Sequence, residues 1–212
     1  MATTRTKWND LLLEGSSTNR INILKKTIRK VQKQHGFVIN PEWVKKIRAA
    51  KAGKDTTGVF YYNTKTIVID TDVNWSAKNF YHWFHMVFTH ETVHAVDFAY
   101  DFQISKIFFP YYLKALKLVY KQTKKEEFKM KLEKDVDYLK YNRFMKFFPA
   151  DHDADGELNP ILYKEGYGYD YCLTDAAEFA AVTMELFFAN PSRLNDELFA
   201  LCQEIKERFF LK

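Results

Sequence analysis

Residues 90–94 read His-Glu-Thr-Val-His, and this run constrains the fold more than any other part of the chain. In a helix of 3.6 residues per turn, positions i and i+4 share a face, so His90 and His94 can direct two imidazoles at one ion. Glu91 then projects beside that ion as a general base. Around the run, Phe80, Trp83, Phe84, Val87 and Phe88 recur at helical spacing. They predict one long helix, capped by Ser76 and reaching about Tyr100. The competing reading is two surface histidines on an ordinary helix. Phe88, Ala95 and Val96 argue against it, because flanks of that kind bury a helix and a buried imidazole pair needs partners.

A catalytic zinc ion takes three protein donors and leaves a fourth place for water, so the fold has to deliver one more donor from a distant segment. Zn2+ is therefore the expected cofactor. Glu178 is the candidate donor: it lies in Thr174-Asp175-Ala176-Ala177-Glu178-Phe179-Ala180-Ala181, where small residues let one helix approach another closely. Glu185, one heptad on, is the rival ligand, and a plain ion pair with a lysine would explain either carboxylate.

Elsewhere the patterns are mostly helical. Ile21, Ile23, Leu24, Ile28 and Val31 form an amphipathic stripe over Thr18–Gln34, closed by His35-Gly36. Pro41, followed by Trp43, Val44 and Ile47, predicts a second short helix ending near Gly53. Gly58 to Asp70 reads as a β-hairpin around Asn63-Thr64-Lys65. Two further helices are expected over 104–147, a capped helix from Thr174 or Asp175 to about Ala189, and a last one opened by Pro191. The chain of 212 residues is expected to form one α+β, mostly helical domain. Residues 1–56 would make a basic helical N-terminal part and 104–165 a helical insertion. Cys172 and Cys202 are the two cysteines, too few and too far apart for a cysteine zinc knuckle.

Three parts of the sequence together resemble the anthrax lethal-factor-like zinc peptidases, a branch of the gluzincins that includes bacterial Pro-Pro endopeptidases. They are the hairpin Gly58–Asp70, the run His90-Glu91-Thr92-Val93-His94-Ala95-Val96-Asp97, and the segment Tyr171-Cys172-Leu173-Thr174-Asp175-Ala176-Ala177-Glu178-Phe179. The resemblance implies a zincin-like domain in which the hairpin rims a cleft and the motif helix forms its floor. It implies Glu178 as third zinc ligand and Tyr171, seven residues earlier, as hydrogen-bond donor to the oxyanion, with Tyr163, Tyr167 and Tyr169 as alternatives. Asp97 would orient an imidazole from behind. The chain departs from the pattern in two places. Glu178 lies 84 positions after His94, a long separation, and Val182 stands where relatives often carry a second glutamate.

The expected activity is metalloendopeptidase hydrolysis of a protein or peptide substrate through a zinc-bound water activated by Glu91. The alternatives are a non-catalytic binding, structural or effector protein on the same fold, and a DNA-associated peptidase of the SprT-like kind. The second rests on charge: residues 1–60 hold 13 Lys/Arg against 4 Asp/Glu in a chain of net charge +5. A solvated helix face accounts for these lysines more simply than nucleic acid does. Asp151-His152-Asp153-Ala154-Asp155-Gly156 matches the start of a calcium loop, but Leu162 stands where the bidentate glutamate belongs, so Ca2+ is the lesser cofactor expectation. No signal-like or membrane-spanning stretch is evident. The cytoplasm is the expected compartment, with export or association with a virus particle as the other readings.

Overall fold

The computed structural model describes residues 3–52, 57–70, 80–141, 156 and 158–211. Strands β1 (Thr4–Trp8) and β2 (Leu11–Gly15) are followed by α1 (Thr18–His35), β3 (Lys46–Ala49), β4 (Gly58–Tyr61) and β5 (Thr66–Ile69). Helices α2 (Phe80–Ala99), α3 (Gln103–Thr123), α4 (Glu126–Tyr141), α5 (Asn159–Lys164), α6 (Ala176–Ala189) and α7 (Asp196–Ile205) complete an α+β, mostly helical chain. Among the described residues, no helix is long and apolar enough to cross a membrane.

The strands form one sheet in the order β1-β2-β3-β5-β4, with β3 parallel to both β2 and β5 and the two end pairs antiparallel. Alternation along the strands turns Leu11, Leu13, Ile47, Ala49, Phe60, Ile67 and Ile69 into the core, where the stripe Ile21, Leu24, Ile28 and Val31 of α1 joins them. Helix α1 keeps its expected span: Ser17 accepts from the Arg20 amide, and Gly36 closes the last turn at φ +72°, a conformation natural to glycine.

The N-terminal part is not all helix. Its first strands pair across Asn9-Asp10, both in the left-handed region (φ 48° and 64°), which is the two-residue turn whose twist suits a hairpin. The helix expected after Pro41 is a single turn, in which the Trp43 and Val44 amides bond the Asn40 carbonyl. The following Lys46-Ile47-Arg48-Ala49 becomes β3 because parallel partners on both sides satisfy its backbone, and that satisfaction overrides local helical spacing. On the sheet's other face Glu14, 3% exposed, is ringed by Arg5 at 2.8 Å and by Lys46 and Arg48, each at 3.7 Å. Part of the N-terminal positive charge is thus committed to one buried carboxylate.

Helix α6 is buried nearly all round and lies between α2 and α3. Phe108 and Tyr112 of α3 meet Phe179 of α6 edge to face, which ties the segment expected to be an insertion into the core. The C-terminal helix begins later than Pro191 implies: Pro191 opens a 3-10 turn, and Asn195 caps α7 by accepting from the Leu198 amide. Ser76 and the acidic loop Asp151–Asp155 lie outside the described residues.

Candidate metal centre

Helix α2 carries both histidines on the side facing α6, and small residues bring the two helices together: Ala176, Ala180 and Ala181 on α6 and Ala95 on α2 are all buried. Asp175 caps α6, accepting from the Ala177 and Glu178 amides at 2.8 and 2.9 Å. Glu178 therefore sits in the first turn, where the helix dipole favours a carboxylate. Its Oε2 lies 2.9 Å from His90 Nε2 and 3.3 Å from His94 Nε2. The two Nε2 atoms are 3.2 Å apart. One donor atom from each of His90, His94 and Glu178 lies within 4.8 Å of the others, so the group can hold a metal ion.

Behind the ring of His90, Nδ1 is 3.2 Å from Oε2 of Glu185, and the same oxygen accepts from the Tyr169 hydroxyl at 3.1 Å. The rival carboxylate thus faces the far side of the imidazole from Glu178. Glu91, 7% exposed, receives the backbone amide of Phe60 on β4. A Cβ at Gly58 would lie 2.4 Å from Val87 and 3.1 Å from Glu91 Oε1, so the absence of a side chain there lets β4 lie against α2. β4 ends the sheet, and its Phe60 amide points to the centre rather than into the ladder.

The electrostatics follow from burial. Dehydration lowers the pKa of both imidazoles, but bonds to Glu178 and Glu185 for His90, and the field of Glu178 for His94, reverse this and raise both. Glu178 responds oppositely: burial raises it, and the two histidines then pull it well below the usual carboxylate range. Glu91 is raised by its burial, an effect partly offset by His90 and His94. Glu91, Glu178 and Glu185 thus crowd two imidazoles. A metal ion bound by the same donors would take the place of protons on them.

Of Tyr163, Tyr167, Tyr169 and Tyr171, it is Tyr171 that stands at the centre, its ring 6.0 Å from that of His90 and 39% exposed. Burial, then the charges of Glu178 and Glu91, keep its hydroxyl protonated far above the ordinary range. Tyr163 lies under Arg193, Tyr167 packs on Phe179, and Tyr169 bonds Glu185. Asp97 does not serve as an imidazole's hydrogen-bond partner. Its carboxylate accepts from the Ile104 and Ser105 amides at 2.7 and 3.1 Å and from the Ser105 hydroxyl, capping α3. The amides at a helix start lack intrahelical partners, and they claim this acid. Sequence reasoning missed Tyr62, just after β4, whose hydroxyl is raised by burial and then by Glu178, Asp175 and Glu91. Its place beside the hairpin turn was the available signal.

No protein-family model, curated protein or solved structure matches the chain.

Proposed function

We propose that this protein is a zinc-dependent metalloendopeptidase with a zincin-like domain of the lethal-factor-like, gluzincin kind. The observation that carries the reading is the convergence of His90 Nε2, His94 Nε2 and Glu178 Oε2 at one point between α2 and α6, with Glu91 and the end strand β4 alongside. Zinc held by these three would polarise a peptide carbonyl and bring the pKa of a water toward about 7.

Every other part of the reaction falls to the chain's own groups. An extended peptide lies along β4, where the backbone groups not already bonded to Glu91 or β5 fix its register and leave side chains to set sequence preference. That alignment places the scissile carbonyl between Glu91 and Tyr171 without the entropic cost of finding it. Glu91, raised by burial, takes the proton of the attacking water and gives it to the leaving amine. Tyr171 keeps its proton and donates a hydrogen bond to the oxygen on which negative charge grows.

Two measurements test this. Metal analysis is expected to find one zinc per chain in the wild type and a clear loss in Glu178→Ala. Glu91→Gln is expected to keep its zinc while losing cleavage of a peptide library. Equal activity in wild type and Glu91→Gln would reduce the protein to a metal-binding or structural role, and undiminished zinc in Glu178→Ala would remove the assigned ligand.

A further inference from the structure

A metal ligand holds its aim only if the atoms behind it are fixed too. Of the two ring nitrogens of His90, Nε2 faces Glu178 and His94 while Nδ1 faces Glu185. Glu185 lies seven residues after Glu178, two turns along α6 and so on nearly the same face. It is 2% exposed, and its Oε2 accepts from Tyr169 as well as from His90, while Oε1 has no hydrogen-bond partner among the described residues.

The residue one turn after Glu178 cannot do this work. Val182 is apolar and fully buried, and a Cβ at Gly168 would lie 2.4 Å from its Cγ1. The bare backbone at 168 therefore rests directly on α6, and the next residue, Tyr169, is delivered onto Glu185. Gly168, Tyr169, Val182 and Glu185 form one packing arrangement that moves the buried acceptor a turn further along the helix. The nearby Asp97 contributes nothing comparable, because its carboxylate is spent on α3.

We propose that Glu185, held in place by Tyr169, is the positioning residue for His90. An acceptor at Nδ1 requires the ring proton there, which leaves the Nε2 lone pair directed at the ion. The negative charge behind the ring also raises the basicity of Nε2 toward a metal. Glu185 then acts through the imidazole and is not itself a ligand. This inference rests on the zinc reading above.

The test is zinc affinity, measured on the full chain by competition with a chelating dye for wild type, Glu185→Gln, Glu185→Ala, Tyr169→Phe and the Tyr169→Phe/Glu185→Ala double variant. Melting of the zinc-free forms is recorded alongside. Glu185→Ala is expected to weaken zinc by about 10- to 100-fold. Glu185→Gln should fall between it and wild type, because an amide oxygen still accepts from Nδ1 but carries no charge. Tyr169→Phe should weaken zinc less, and the double variant should be no weaker than Glu185→Ala, since the tyrosine works only through the carboxylate. A purely structural role would lower the melting temperature and leave zinc affinity unchanged, which would overturn the proposal. If Glu185→Ala does not fold, unchanged affinity in both Glu185→Gln and Tyr169→Phe overturns it equally. Failure of the wild-type chain to take up zinc is a separate result, and it would sink the metal reading itself together with this inference.

Discussion

The buried histidine pair between α1 and α2 makes stability depend on pH. His35 ends α1 and is 3% exposed. Its Nε2 meets Nε2 of His85 on α2, with the Thr89 hydroxyl 3.3 Å away. The rings of His85 and Phe188 lie 4.4 Å from it. Burial, then His85 and Lys206, push its pKa from 6.5 down to about 3. The folded protein therefore keeps His35 neutral at a pH where the unfolded chain would protonate it. The unfolded state binds the extra proton between about pH 6.5 and 3, so stability is complete above that window and falls as pH drops through it. At 1.36 kcal/mol per pH unit, the loss between about pH 7 and about pH 5 is roughly 2 kcal/mol. His35→Gln keeps a polar partner for His85 and cannot titrate. Urea unfolding of both proteins at the two pH values, with chelator present, reads the titration of the His35–His85 pair, because the groups that do not touch His35 are common to both. Wild type is expected to lose about 2 kcal/mol more than the variant on acidification. Equal losses would refute the account of a histidine kept neutral by burial.

Gly58→Ala places a methyl group 2.4 Å from Val87, an overpacking expected to cost about 1–3 kcal/mol in denaturant unfolding. Peptide cleavage should fall further than zinc content, because β4 and Glu91 are displaced while the three ligands are not. Asp97→Ala removes the acceptor of two buried amides and should destabilise the chain by about 2–3 kcal/mol. Zinc per chain should stay unchanged, and a loss of zinc in a folded Asp97→Ala protein would return that acid to the metal centre.

Features that depend on the geometry of a few adjacent residues were legible from spacing and residue type. The span of α1, the hairpin β4–β5, the Asp175 cap and the helix bearing His90 and His94 belong to this group, since one turn of backbone or one tight turn carries the whole signal. Which carboxylate answers which nitrogen was not legible. Glu178 and Glu185 share a helix face, and only the lie of α6 against α2 turns one to Nε2 of His90 and the other to Nδ1. The same holds for Asp97, where helical spacing pointed at the histidines and the unsatisfied amides of α3 took the acid, and for Tyr171 among four nearby tyrosines. Residues 46–49 joined the sheet because β2 and β5 lie on either side of them, and no local pattern records the presence of a neighbour brought from far along the chain. Short-range spacing thus settles which side chains a helix or turn presents. Distances between segments well separated in sequence settle what those side chains meet, and these exist only once the core has packed.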